Sequence, residues 1–342
     1  MALWLVRAGG SGEYEQKFLQ ENRIYVTWDE LSQDLGKLKE KQDLRELLTS
    51  LYEDTKPKTI INWSSQIWLF AKEMKKGDWV ALPSKKKAAI HFGEITGEYT
   101  NNSKGPNPFY HYREVKWFAT DVLRSWLDQD LLYSFGAFLT ICRVTRNNAE
   151  NRIKKLAESN WKRSVAVTEE VVNRGEVEPP ETDIEELGRD QIAKFIVRKF
   201  KGHGLTRLVE AVLQAQGYTT YRSPEGADGG VDILASSGGL GFGHPRICVQ
   251  VKSQESPIDR PTLDQLIGTM QKVGAEQGLL VSWGGFKTSI DRETPTQFFR
   301  VRLWNQVSLI QEIIANYERM DEDIKAELPL KKVWTLAAEM QD

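Results

Sequence analysis

Two short segments in the last third of the 342-residue chain place polar side chains where a strand should carry apolar ones. In Cys248-Val-Gln250-Val-Lys252, strand alternation puts Gln250 and Lys252 on one face, with Cys248 further back on it, while Val249 and Val251 face the core. In Val231-Asp232-Ile-Leu-Ala235 an aspartate interrupts a run of β-formers. Metal-assisted hydrolysis of a phosphodiester accounts for both. It needs a carboxylate to hold a divalent cation against the phosphate, and a cationic group to orient or deprotonate the attacking water and offset developing charge. Oxygen-only ligands suit Mg2+, with Mn2+ as a substitute, and Asp232 is the candidate carboxylate to hold it. The plainer alternative is that Asp232 caps a turn and Lys252 is a sheet-edge charge.

The arrangement Gly226-Ala-Asp-Gly-Gly-Val-Asp232 followed by Gln250-Val-Lys252 resembles the catalytic domain of Mrr-type restriction endonucleases, within the PD-(D/E)XK nuclease superfamily. The resemblance runs from about Lys199 to Tyr317 and includes Gly217-Tyr218 and Gly278-Leu-Leu-Val-Ser-Trp-Gly-Gly-Phe286. It implies metal-dependent cleavage of DNA on a central mixed sheet. It implies further that Asp232 is the metal-binding aspartate, that Lys252 is the catalytic lysine, and that Gln250 stands where many members have a second acid. A glutamine offers only a neutral carbonyl oxygen, which argues against a conventional two-metal site. Glu210, on the preceding helix, is a candidate for the missing carboxylate, although a closer alignment puts Thr206 there. Cutting a duplex takes two centres, so the resemblance also implies a homodimer or pairing on DNA. Asp228 reads as a turn residue for the glycines after it. Ser282 and Lys287 flank a family motif without a defined role, and His203 and His244 read as solvated loop residues.

The elements that must position these groups follow from periodicity. Leu205, Leu208, Val209, Val212 and Leu213 have helical spacing. Strands are expected at 217–221, 231–235, 247–251, 278–283 and 298–303, with helices near 262–272 and 307–319. That order indicates a mixed sheet with helices on both faces, an α/β (α+β) class.

The first half is built differently: eight of the eleven tryptophans lie at or before Trp161. Strands are expected at 3–6, 24–28, 79–82, 90–95 and 110–118, and helices at 13–21 and 67–74. The pattern is that of a small, mostly β domain with peripheral helices. Leu3-Trp-Leu-Val-Arg7, Val26-Thr-Trp28, Met74-Lys-Lys-Gly-Asp-Trp-Val80 and Ile90-His-Phe-Gly93 are similar to PUA-like and EVE-like domains, several of which bind nucleic acid and some of which hold a flipped, modified base. Trp28, Trp63 and Trp68 are candidates for stacking, and Arg7 and Lys85 to Lys87 for phosphate contact. As a rival reading, aromatic residues in such a domain form its core and Lys85-Lys-Lys87 is a solvated hairpin tip.

Charge marks the junction. Residues 146–163 carry six basic and two acidic residues, whereas 164–190 carry nine acidic and two basic, with Pro179-Pro180 in the middle. Such a segment reads as a linker with short helices at either end. The expected organisation is therefore a sensing domain (1–145), a charged linker (146–198), a nuclease domain (199–320) and a tail (321–342). The net charge of −2 confines any DNA-binding surface to a local patch. Cys142 and Cys248 give neither a disulfide framework nor zinc-ligand spacing. Gly9-Gly-Ser-Gly12 lacks the Gly-Lys-Ser/Thr ending of a phosphate loop, which argues against nucleotide hydrolysis. No apolar run is long enough to cross a bilayer, and the start reads as a strand rather than a secretory signal, so the expected compartment is the cytoplasm. Together these features point to a modification-dependent DNA endonuclease of a defence system. The alternatives are an effector nuclease whose first domain senses a small nucleotide signal, and a DNA-binding protein that has lost cleavage.

Overall fold

The computed structural model describes residues 1–137, 139–161, 183–224, 226 and 230–334. Asp228 and Pro179-Pro180 lie outside the described residues. The chain divides into two compact units, Met1–Leu187 and Gly188–Trp334.

The N-terminal unit runs β1 (Leu3–Val6), α1 (Glu15–Glu21), β2 (Arg23–Val26), α2 (Lys41–Leu51), α3 (Pro57–Trp68), β3 (Trp79–Pro83), β4 (Ala89–Ile95), β5 (Thr100–Asn101), β6 (His111–Leu123), α4 (Gln129–Phe135), β7 (Ile141–Arg143) and α5 (Ala149–Glu158). Its strands form a seven-stranded sheet in the order β2-β6-β4-β3-β1-β7, with β5 beside β6. Period-two alternation sorts the side chains into two cores. Trp4, Val6, Val80 and Leu82 pack with Phe18, Leu44, Leu48, Ile60, Trp63 and Ile67 from α1 to α3. Leu3, Leu5, Ala81, Ile90 and Phe92 pack with Leu131, Leu132, Phe135 and Ile153 from α4 and α5. The helices are thus half of each core rather than peripheral to it. Periodicity sought in the tryptophan-rich strands does not reveal α2, α4 or α5, and it starts α3 ten residues late.

The C-terminal unit contains α7 (His203–Ala215), β8 (Thr219–Arg222), β9 (Ile233–Ser236), β10 (Ile247–Lys252), α8 (Arg260–Val273), β11 (Gln277–Ser282), the short α9 (Thr288–Asp291) and α10 (Thr294–Gln297), β12 (Val301–Trp304), α11 (Gln306–Asn316) and α12 (Glu322–Glu327). Ahead of them, α6 (Ile184–Lys199) begins within the N-terminal unit and continues into this one. The sheet order is β12-β11-β10-β9-β8. β10, β11 and β12 run parallel, while β9 is antiparallel to both β10 and β8. Parallel neighbours need a crossover, which α8 supplies between β10 and β11. α8 starts with Pro261 in its first turn and stops at Gly274, whose φ of +66° suits a left-handed C-cap.

Both faces of this sheet are covered, as parallel strands require. Val249, Val251, Ile233 and Val281 meet Leu205, Leu208, Val209 and Val212 of α7 and Leu309, Ile310 and Ile313 of α11. Cys248 and Leu280 meet Leu263, Leu266 and Met270 of α8. The face that Gln250 shares with Cys248 is therefore an apolar core too, not only an outer surface. Ile324 and Leu328 join the α7 side, so the stretch beginning at residue 321 packs into the unit before the chain reaches residues 335–342, outside the described ones. Among the described residues, no helix is long and apolar enough to cross a membrane.

Candidate active site

The antiparallel pairing of β9 with β10 is last recorded at Ile233↔Val249. Asp232 stands one residue before β9, at the point where the ladder gives way to side-chain bonding. Its N–H still donates to the Val249 carbonyl at 3.1 Å, and its carboxylate accepts the Val251 N–H at 2.7 Å. The acid is thereby fixed against the backbone between Gln250 and Lys252. Its charge also reaches the neighbouring strand interior: burial, and after it the Asp232 carboxylate, pushes the Cys248 thiol up to about 11. Cys248 is accordingly a protonated core residue rather than a ligand or nucleophile.

Gln250 is 1% exposed. Its Nε2 donates to the Gly230 carbonyl at 2.9 Å, while its Oε1 is buried and has no hydrogen-bond partner among the described residues. A buried acceptor left unpaired costs about 1–3 kcal/mol, a cost that a bound cation would remove. Lys252 closes β10 and is half-buried. Its carbonyl accepts the Trp283 N–H at 2.9 Å, and among the described residues its ammonium makes no ion pair or hydrogen bond. Opposite it in register is Ser282, fully buried, which donates to the Gly285 carbonyl at 2.8 Å and so shapes the turn after β11. Lys287 pairs with Asp259 at 3.6 Å. His244 pairs with Glu276 rather than standing alone.

One carboxylate and one amide oxygen that no described residue pairs make a sparse, oxygen-only donor set, with the Lys252 ammonium two residues further along the strand. Among the described residues, no group of three or more His, Cys, Asp or Glu could hold a metal ion. The set fits a hard cation that keeps much of its water, as Mg2+ does, and it does not fit zinc.

Glu210 is not a free member of this set. Its carboxylate accepts the Thr220 hydroxyl at 3.0 Å and pairs with Arg222 at 3.2 Å, both on the outer strand β8. Thr206, the alternative position, is buried on the inner face of α7.

In the N-terminal unit the sequence expectations need correcting. Arg7 is 8% exposed. Its guanidinium donates to the carbonyls of Phe135 and Ala137 and faces Glu186 at 3.7 Å, so it is a structural cation and not a phosphate contact. Lys85 is bound to Asp183 at 3.0 Å and Glu186 at 3.5 Å rather than solvated. Arg124 reaches Glu186 at 2.8 Å. Three cations thus converge on the first turn of α6. The charge reversal near residue 164 signals complementary segments, but it cannot say which residues meet. Trp63 is a core residue, edge-on to Tyr52 at 5.2 Å and to Trp28 at 6.4 Å. Trp28 is half-buried at the rim of that core, and Trp68, also half-buried, has the Lys72 ammonium 5.6 Å from its ring. The buried histidines, His91 against Glu15 and His111 against Tyr99 and Leu31, carry no motif that sequence reading could single out.

Comparison with known families agrees with this geometry. Residues 197–313 match the model of a restriction endonuclease family, and residues 4–133 match a domain family of unknown function. Among curated proteins none matches the sequence. Among solved structures, the DNA modification-dependent restriction endonuclease AspBHI is similar at 14% identity over 74% of this chain and 67% of its own, with a TM-score of 0.34. The MspJI restriction endonuclease, in complex with a 27-mer oligonucleotide, is similar at 13% identity over 96% of this chain and 80% of its own, with a TM-score of 0.31. Both likenesses are low. The family match spans the strands that carry Asp232, Gln250 and Lys252, and the C-terminal unit of this chain is a restriction endonuclease domain of the Mrr type.

Proposed function

We propose that this protein is a divalent-cation-dependent DNA endonuclease of a restriction system, cutting at a centre made of Asp232, Gln250 and Lys252. The observation that carries the reading is the buried Oε1 of Gln250, without a partner among the described residues, next to a carboxylate pinned by Val251 inside a restriction endonuclease domain. Asp232 and Gln250 hold the cation, and Mg2+ fits their donor chemistry. When bound, it neutralises charge at the scissile phosphate and makes a bound water more acidic. Lys252 orients the attacking water and offsets charge developing on the phosphate oxygens. The bond to Val251 keeps Asp232 in place in the absence of substrate, which is preorganisation rather than induced assembly.

The N-terminal unit inspects the DNA for a modified base in this proposal. Its support is the resemblance to base-sensing domains and the cluster of Trp28, Trp63 and Tyr52, in which Trp28 and Tyr52 are half-buried. Two copies act together on a duplex, each cutting one strand.

The test is cleavage of plasmid and phage DNA of known modification status by the full chain, with Mg2+ and with a chelator. The reading predicts cutting that needs the cation, that favours modified DNA, and that is abolished by Asp232→Asn or Lys252→Met. Cleavage that survives both substitutions would remove the assigned centre. Equal cutting of modified and plain DNA would remove the sensing role and leave the nuclease.

A further inference from the structure

The side-chain amide of Gln250 could present either its oxygen or its NH2 to a cation, since turning the terminal torsion by half a revolution exchanges them at almost no cost in shape. Something nearby must make the choice. The Gly230 carbonyl lies 2.9 Å from Nε2 and is an acceptor only, so it accepts the NH2 and would repel the oxygen. In the orientation it selects, Oε1 is the atom left buried and, among the described residues, unpaired. We propose that Gly230 is the positioning residue of the metal site, its carbonyl turning the Gln250 oxygen toward the cation. This rests on the reading of Asp232 and Gln250 as metal ligands and adds to it the group that makes a neutral amide serve as one.

Two further features agree. Gly230 has a φ of +89°, and a Cβ there would lie 3.2 Å from Thr269 Oγ1, 3.3 Å from Gln250 Nε2 and 3.5 Å from Gln265 Nε2. Only glycine brings its carbonyl this close without crowding the amide it orients. The same contact explains why this chain has glutamine rather than glutamate at 250. A carboxylate would set two acceptors against each other at the Gly230 carbonyl.

The test is a double-mutant cycle read by cation binding to the full-length protein without DNA, following the free-ion electron paramagnetic resonance signal of Mn2+. Gly230→Ala in the natural background should weaken Mn2+ binding by about tenfold or more, the range of lost outer-shell partners. In the Gln250→Glu background the same change should cost less than about threefold, because a carboxylate offers an oxygen whichever way it turns and nothing remains to be selected. An equal loss in both backgrounds, or none in the natural one, overturns the proposal. Where Gly230→Ala does not fold, converting the Gly230–Val231 amide to an ester by placing the α-hydroxy analogue of valine at 231 weakens the acceptor without adding an atom, and the same pattern is expected. Asp232→Asn separates the two levels. If it leaves Mn2+ binding unchanged, the metal site itself falls and the positioning role with it. If it removes binding while the Gly230 changes are silent, only the positioning role falls.

Discussion

The Asp232 carboxylate accepts the main-chain N–H of Val251 at 2.7 Å, in the gap between Gln250 and Lys252. This bond extends the pairing of the consecutive strands β9 and β10 past its last ladder step, Ile233↔Val249. It sets the acid beside the amide and the ammonium. Asp232 thus has two separable properties, an acceptor that holds the local backbone and a negative charge.

That separation makes Asp232→Asn a clean substitution. Asparagine keeps an oxygen for Val251 and loses only the charge. Mg2+-dependent cleavage should fall by on the order of a thousandfold, while the stability measured by urea unfolding moves by less than about 1 kcal/mol. Asp232→Ala should lose the same activity and an additional ~1 kcal/mol of stability for the bond to Val251. Full activity in the asparagine variant would show that the carboxylate is only a backbone clamp.

Lys252 ends β10 with an ammonium that no described residue pairs. Lys252→Met keeps most of the apolar stem and removes the charge. Single-turnover cleavage should drop by about a hundredfold or more with little change in DNA affinity, since one cation among many sets the rate but not the binding. Lys252→Arg should restore only a small part, because a broad guanidinium does not replace a compact ammonium at one water. Wild-type rates in both variants would return Lys252 to an ordinary sheet-edge charge.

Glu210 is engaged by Thr220 and Arg222. Glu210→Gln should therefore leave Mg2+-dependent cleavage within about threefold of wild type, unlike the ten- to hundredfold loss that removing a metal-supporting group brings. Because Arg222 is 40% exposed, the lost ion pair should cost less than about 1 kcal/mol. A fall in cleavage matched by a higher Mg2+ requirement would instead restore Glu210 to the metal site.

The core of the C-terminal unit was readable because its elements follow simple periods: α7 repeats its apolar residues on one helical face, and β10 alternates around two valines. The polar members of the proposed site stand out as violations of those periods, which is why Asp232, Gln250 and Lys252 can be singled out from sequence as candidates. Gly230 cannot, because its contribution is a main-chain carbonyl, and a carbonyl leaves no trace in residue type. The partners of Glu210 are hidden for a related reason: helical spacing puts it on the helix before the site, but its bonds to Thr220 and Arg222 depend on how β8 lies beside that helix. In the N-terminal unit, Arg7 and Lys85 look like surface cations in sequence and are neutralised in the fold by carboxylates about a hundred or more positions away, a pairing that no local pattern encodes.

The convergence of Arg7, Lys85 and Arg124 on Glu186 predicts a strong stability effect. Burial acts to raise the Glu186 carboxyl, but the charges of Arg124, Arg7 and Lys85 outweigh it and hold the group below the ordinary carboxylate range. Glu186→Gln leaves two nearly buried guanidiniums with less compensation and should destabilise the protein by about 3 kcal/mol. Replacing all of the interacting charges together with apolar residues of similar size should cost less than that single change. A melting temperature for Glu186→Gln equal to that of wild type would mean that solvent, not Glu186, satisfies these cations.

His111 gives a pH dependence of definite sign. It is fully buried, its Nε2 lies 2.7 Å from the Leu31 carbonyl and its Nδ1 2.8 Å from the Tyr99 hydroxyl, and burial lowers its pKa from the model-peptide value of 6.5 to about 4. The unfolded chain therefore takes up this proton at a higher pH than the folded one. Between about 6.5 and about 4 the unfolded state binds more protons, so stability is full above 6.5 and is lost as pH falls, by on the order of 3 kcal/mol across the window. Buried carboxylates with lowered values, such as Glu186, act in the same direction but only below their ordinary range near 4.5. The signature of His111 is thus a decline in unfolding free energy that begins near pH 6.5, before any carboxylate responds. His111→Gln should lower stability at pH 7 and flatten the profile between pH 6.5 and 5. A profile that is flat over that interval in the natural protein would show that His111 titrates as an ordinary exposed histidine.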